Sequence, residues 1–262
     1  MRSLVVKVGG HALDSLRPTS PVLVDLATDI AQLQAAGTSV VVVHGGGPQI
    51  QTLLADVGLE GQFHDGLRVT SATTMRYVAM ALSEVNLAIV SSFNQGGLVS
   101  VGLSGTDGSV LTAAPLGDVW GRVAAVPKVR ADVITSLWDA HFTPVMTSIA
   151  VDDEGGLLNC NADTAAGAIA SSLGATLVLL SDVDQLRSDP DDAATGVDKI
   201  TMAQLLALVT SGSAREGMRP KGLAALDALE GGATSVLIAN GTRPHALAGA
   251  LERSVPTTEV VR

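Results

Sequence analysis

The sequence predicts an α/β protein: a three-layer αβα sandwich around a mainly parallel central sheet. Short Val- and Leu-rich runs alternate along the chain with stretches whose apolar residues have helical spacing. Two of those runs end in glycine-rich turns, Lys7-Val8-Gly9-Gly10 and His44-Gly45-Gly46-Gly47, as buried strands do where they hand over to helices.

In chain order, the first strand is expected at 4–8, a helix at 22–34 and a second strand at 40–43. Helices at 49–57 and 73–93 lead to a strand at 98–103. A hairpin-like segment at 118–129 precedes a helix at 131–140 and a strand at 144–149. A second hairpin-like segment at 152–158 precedes an alanine-rich helix at 163–173 and a strand at 176–180. Residues 187–199, rich in Asp and Ala, read as a solvated loop. Helices at 202–209 and 223–229 and a strand at 235–239 complete the pattern. No internal repeat or low-complexity tract interrupts it.

Composition narrows the function classes. Hydrophobic residues make up 47% of the 262 and charged residues 16%, which suits a compact enzyme with a substantial core. Aromatics are only 2%, too few for the stacking platforms of single-stranded nucleic-acid binders. A formal net charge of −10 disfavours nucleic acid and anionic membranes as partners. The lone Cys160 excludes an intramolecular disulfide and a Cys-rich zinc site. No segment reads as a signal peptide or membrane helix, so the expected location is cytoplasmic.

Ligands of a parallel sheet sit beyond the carboxyl ends of its strands. Lys7, the His44–Gly47 turn, residues 104–108 and Ser181-Asp182 fall there. Glycine turns allow close backbone approach, and their N–H groups with the next helix's positive end favour phosphate or carboxylate. Two such turns, one carrying a lysine, suggest a site for two anions. The alternative is a pair of ordinary tight turns. The standard mononucleotide loop, the dinucleotide fingerprint and the serine-hydrolase elbow are all absent. His44, His64 and His141 lack metal-ligand spacing and read as structural.

Three further groups stand out. Asn159-Cys160-Asn161-Ala162-Asp163 opens the alanine-rich helix; capping needs only one of its polar residues, which leaves others free. Lys221, after Glu216-Gly217-Met218-Arg219-Pro220, stands at a helix N-terminus where the dipole disfavours a cation unless an anion is bound nearby. Arg68, after a turn, has the geometry to hold a carboxylate bidentately.

Together these segments resemble the amino acid kinase family. The resemblance rests on Lys7–Gly10, Val41-Val42-Val43-His44-Gly45-Gly46-Gly47-Pro48-Gln49, Gly66-Leu67-Arg68-Val69-Thr70, Asn159–Asp163, Leu180-Ser181-Asp182-Val183 and Glu216–Lys221, in the family's order from end to end. The His-Gly-Gly-Gly-Pro and Gly-Leu-Arg-Val-Thr segments favour N-acetyl-L-glutamate as the acceptor. The resemblance implies that Lys7 and Lys221 flank the transferring phosphoryl group, that Gly10 donates an N–H to it, and that Asp163 orients the lysines. It implies that Gly45, Gly46, Gly47, Arg68 and Asn159 bind the acceptor. Gly9, Ser181, Asp182, Val183, Leu186, Ser213, Ala214 and Arg215 would then line the ATP site. Magnesium is expected on the ATP phosphates, with no dedicated protein metal site. The implied division is an acceptor-binding and dimerising lobe at 1–172 and an ATP lobe at 173–262.

Three segments depart from the family pattern. Gln185 stands where glycine is usual, Ser83-Glu84-Val85-Asn86 replaces Gly-Lys-Val-Asn, and Pro256-Thr257-Thr258-Glu259 lacks a closing Gly-Thr. The chain begins at its first strand, without the helix that builds hexamers in arginine-inhibited members, so a homodimer insensitive to arginine is expected. Two other readings remain. One is a kinase for an amino-blocked aminoadipate on an acidic carrier, which the net charge and residues 66–70 disfavour. The other is a non-catalytic nucleotide or effector binder, which would need neither lysine.

Overall fold

The computed structural model describes residues 2–13, 17, 19–189, 192, 195–210 and 218–262. Six parallel strands stand side by side in an eight-stranded sheet. In spatial order they are Ser235–Asn240 (β13), Thr176–Ser181 (β11), Arg2–Val8 (β1), Thr38–His44 (β2), Thr143–Thr147 (β8) and Ser100–Leu103 (β5). Thr257–Val261 (β14) pairs antiparallel with β13, and Lys199–Thr201 (β12) runs parallel to β14 at the edge. The mainly parallel sheet with helices on both faces matches the expectation from the sequence.

Alternation along β1 assigns its side chains to two cores. Val5 joins Val41, Val43, Leu177 and Leu179 on one face. That face is covered by Asp132–Asp139 (α4), Ala162–Leu173 (α5), Met202–Thr210 (α6) and Met218–Gly231 (α7). Leu4, Val6 and Val8 join Val40, Val42, Val178 and Leu180 on the other, under Pro21–Ala35 (α1), Ala72–Gln95 (α3) and Ala246–Glu252 (α8). Nearly every strand residue is buried on either face, hence the continuous apolar runs in the sequence.

The run expected as one strand at 144–149 is two. The first part, β8, stays in the large sheet, and after Ser148 the chain enters Ile149–Val151 (β9) of a second, four-stranded sheet. There β9 pairs antiparallel with Leu157–Asn159 (β10), the hairpin expected at 152–158. Leu111–Thr112 (β6) and Lys128–Val129 (β7) complete that sheet. Only the last two residues of the hairpin-like segment at 118–129 form a strand, with isolated bridges at Gly121, Val123 and Ala124. The remaining elements near the site are Gly47–Asp56 (α2) and a small hairpin of Gln62–His64 (β3) and Leu67–Val69 (β4).

Helices α5 and α7 pack in parallel and in register. The Ser171 hydroxyl donates to the Ala228 carbonyl at 3.0 Å, and Gly167 lies against the Ala224 carbonyl. A Cβ at Gly167 would stand 3.1 Å from that backbone oxygen and 3.4 Å from Ala228 Cβ. Overpacking of this kind costs about 1–3 kcal/mol, with about 2–4 °C of melting temperature per kcal/mol at this size. We therefore expect Gly167→Leu to lower the thermal midpoint by several degrees; an unchanged melt would show slack between the helices.

Candidate active site

One cavity of about 640 Å³ opens beyond the carboxyl ends of β1 and β2. Lys7, Gly10, Gly45, Gly46, Gly47, Arg68, Asn159 and Asp163 all line it, although they come from distant parts of the chain. Strand parity explains Lys7. It lies two residues beyond Val5, so it points to the same face and meets the head of α5. There Lys7 Nζ lies 2.7 Å from Asp163 Oδ1, with both side chains about nine-tenths buried.

The polar surplus at the start of α5 is divided as the sequence reading anticipates. Asn161 alone caps the helix, its Oδ1 accepting from the Asp163 and Thr164 amides at 2.9 and 3.1 Å. Asp163 is left to the lysine. Asn159 Nδ2 donates to Thr70 Oγ1 at 3.1 Å, which fixes its amide at the cavity wall.

The glycines differ in what they offer. The Gly9 amide donates to the Leu180 carbonyl at 2.9 Å and the Gly45 amide to the Val8 carbonyl at 3.2 Å, so those two N–H groups serve the turns. Gly46 caps α2, and the Gly46 and Gly47 amides stand at the helix's positive end. At Gly10 the two turns cross so closely that a Cβ would lie 2.7 Å from Pro48 Cδ.

His44 shows how the second turn is held. It lies on the α3 side of β2, fully buried, and Asn86 of α3 meets it. Its Nδ1 lies 2.9 Å from the Gly45 carbonyl, so Nδ1 carries the proton and donates there. Nε2 then accepts from Asn86 Nδ2 at 3.0 Å, and the same amide nitrogen donates to the Val145 carbonyl at 2.9 Å. Desolvation pushes the His44 pKa down to about 4, against the pull of the Gly45 carbonyl, so the ring is neutral at pH 7. The departure at Ser83–Asn86 thus keeps its packing residues: Ser83 and Glu84 are exposed, while Val85 and Asn86 are buried.

Cys160 also lines the cavity, but burial raises its thiol to about 12, which suits packing rather than nucleophilic attack. Ile50, Gln51, Phe63, Leu82, Val123 and Ser148 also line the cavity and were not singled out in the sequence. For Gln51 a signal existed, since it follows Gly47 by one helical turn on α2 and shares its face.

The remaining expected residues lie elsewhere. Ser181, Asp182 and Val183 follow the end of β11, where the Val183 amide donates to Ser181 Oγ at 3.2 Å. The Leu186 side chain is fully buried in the core between sheet and helices. Lys221 is half-buried in the first turn of α7 and does not line the cavity. The constant offset of 57 residues between α5 and α7 sets it beside the level of Asp163. Ser213, Ala214 and Arg215 lie outside the described residues. Among the described residues, no group of three His, Cys, Asp or Glu side chains could hold a metal ion.

The profile of the amino acid kinase family matches residues 2–240, nearly the whole fold. The chain belongs to the amino acid kinase family. Among its relatives, acetylglutamate kinase of a Nostoc species is 40% identical over 249 residues, 94% of this chain and 82% of that protein. The chloroplastic acetylglutamate kinase of Arabidopsis thaliana is 38% identical over 94% of this chain and 71% of its own length. The solved structure of N-acetylglutamate synthase from Neisseria gonorrhoeae, with coenzyme A and N-acetyl-glutamate, superposes with a TM-score of 0.85 at 25% identity. All of this chain, but 59% of the synthase, takes part in that match. Carbamate kinase from Giardia lamblia, at 17% identity and a TM-score of 0.68, shares the fold over 99% of this chain and 98% of its own.

The His44 environment gives a pH signature. Its folded pKa of about 4 lies below the ordinary 6.5, so the unfolded chain takes up a proton first as pH falls. Stability from this group is therefore full above about pH 6.5 and declines towards pH 4 by about 3 kcal/mol. Thermal melts of the wild type and His44→Gln across that range should converge as the pH drops; parallel curves would contradict the buried neutral ring.

Proposed function

We propose that this chain catalyses ATP-dependent phosphorylation of the side-chain carboxylate of N-acetyl-L-glutamate, a step of arginine biosynthesis. The observation that carries the reading is the cavity, in which a buried lysine, two glycine turns and a buried arginine face one space. Its apolar wall of Ile50, Phe63, Leu67, Leu82 and Val123 suits an acetyl group. Relatives at about 40% identity named for this activity support it.

The chemistry asks little of a base. The acceptor carboxylate is already a nucleophile at neutral pH; its oxygen forms a bond to the γ-phosphorus as the bond to the β-phosphate oxygen breaks and ADP leaves. No proton need move, so catalysis is positioning plus stabilisation of charge on the transferring group. Lys7, held by Asp163, supplies one cation and Lys221 the other, with the Gly10 amide as a donor. The parallel register of α5 and α7 supports that pairing, because it brings Lys221 to the Asp163 end of the sheet. Gly46 and Gly47 hold the reacting carboxylate, Arg68 and Asn159 the second one. The nucleotide enters as MgATP at the carboxyl end of β11, beside Ser181, Asp182 and Val183. In this reading, residues 1–172 bind the acceptor and 173–262 the nucleotide.

The same reading makes the protein a cytoplasmic homodimer. On α3, Met80 and Leu87 are 56% and 70% exposed, with Arg76 and Glu84 each four residues from Met80. A twofold axis at Met80 would therefore set arginine against glutamate twice. Light scattering should return twice the chain's mass, with or without arginine. No helix among the described residues is long and apolar enough to cross a membrane.

Incubation with MgATP and acetylglutamate, followed by hydroxylamine, should trap the acyl phosphate as a hydroxamate. Unacetylated glutamate and acetylaminoadipate should give much less. No hydroxamate from any of the three would refute kinase activity. Removing one preorganised cation costs about 3–4 kcal/mol of barrier, so Lys7→Ala and Lys221→Ala should each slow turnover by about two to three decades. Lys7→Ala also strands a buried carboxylate, at about 3–5 kcal/mol of stability. Lys7→Met combined with Asp163→Asn should therefore melt higher than Lys7→Ala while remaining inactive.

A further inference from the structure

The cavity contains a cation that no carboxylate among the described residues cancels. Arg68 is only 8% exposed, yet both of its hydrogen bonds go to neutral groups. Nη1 donates to Gln51 Oε1 at 2.9 Å, and Nη2 donates to the Gly47 carbonyl at 3.4 Å. The Phe63 ring packs against the guanidinium, its centroid 4.6 Å from Cζ. Among the described residues no carboxylate forms an ion pair with it. The site is built around this pair: a Cβ on Gly61 would strike Arg68 Nη1 and Gln51 Oε1 together.

A glutamate at position 51 would have served the fold better. It has nearly the same shape, and a charge-assisted bond to a guanidinium is roughly twice as strong as one to a neutral acceptor. A buried cation with no anion nearby is costly, and burial does draw the Arg68 pKa down from its ordinary range. The guanidinium still remains a cation at neutral pH. That stability is given up at the wall of the cavity where an acidic ligand would bind.

We propose that Gln51 is a positioning and specificity-determining residue: as a neutral partner it fixes the Arg68 guanidinium in place and keeps its whole charge for a carboxylate of the acceptor. The ligand class is an acid bearing a second carboxylate besides the one that reacts. This inference rests on the reading of the cavity as the acceptor site.

The test compares wild type, Gln51→Glu, Gln51→Met and Arg68→Ala in the hydroxamate assay, with thermal melts of each. In Gln51→Glu the new carboxylate cancels Arg68. KM for acetylglutamate should rise roughly tenfold or more, the scale of one charged hydrogen bond, while KM for ATP holds and the melt stays at or above wild type. Gln51→Met keeps the size but not the acceptor, so its KM should rise less than that of Gln51→Glu. A merely structural role predicts the reverse order, since glutamate preserves the hydrogen bond and methionine loses it. An acetylglutamate KM in Gln51→Glu within threefold of wild type, or a Met variant worse than Glu, overturns the proposal. Arg68→Ala with unchanged KM overturns it as well, by removing the arginine from the acceptor. No hydroxamate from the wild type instead overturns the underlying function, and the role of Gln51 falls with it.

Discussion

The buried contact between Lys7 and Asp163 sets the terms for the rest of the site. An ammonium and a carboxylate withdrawn from water are worth little to stability, because desolvation offsets most of their attraction. The fold nonetheless builds the pair at its centre, where the middle strand of the sheet meets the head of an alanine-rich helix. Small residues make that meeting possible. Ala165, Ala166 and Gly167 let α5 lie close to both the sheet and α7, so that the helix starts level with the end of β1. The chain is also poor in aromatics, and a core of Val, Leu and Ala is what allows such close approaches.

Around that pair, charge is distributed with restraint. The backbone amides of the second glycine turn stand at a helix's positive end, and the ring of His44 beneath them is held neutral by its burial, against the pull of the Gly45 carbonyl. Among the described residues, Arg68 receives only neutral partners. In a protein with ten more acidic than basic residues, the cavity thus keeps a local excess of positive potential. Two anions that must meet in line need such a setting, and they need it preorganised, since each donor oriented in advance removes a reorganisation cost from the reaction.

Much of the fold was legible because buried parallel strands leave continuous apolar runs. The six parallel strands and the helices between them were expected within a few residues of where they stand. The misses have physical reasons. Strand β14 pairs antiparallel with β13 through the sequence Thr-Thr-Glu-Val-Val, which has no apolar run to reveal it, and β12 and β3 are three residues long. Helix α8 spans only seven residues, too short for a periodic pattern. At Ser148 one apolar stretch passes between two sheets, and since both parts are buried, composition does not change where the chain switches.

The sequence by itself determined the layered architecture, the glycine turns and the residue types able to hold anions, because those follow from local periodicity and backbone freedom. It also singled out Lys7, Arg68, Asn159 and Asp163 as residues worth following. Only the tertiary structure decided which of them share a space, since convergence depends on strand order and on the face each side chain takes. It gave Asn161 the capping role and left Asp163 to the lysine, occupied the amides of Gly9 and Gly45 within the sheet, and drew Leu186 into the core. The neutral setting of Arg68 is likewise a property of packing: Gln51, Gly61 and Phe63 become its neighbours only when α2 and the β3–β4 hairpin close on each other.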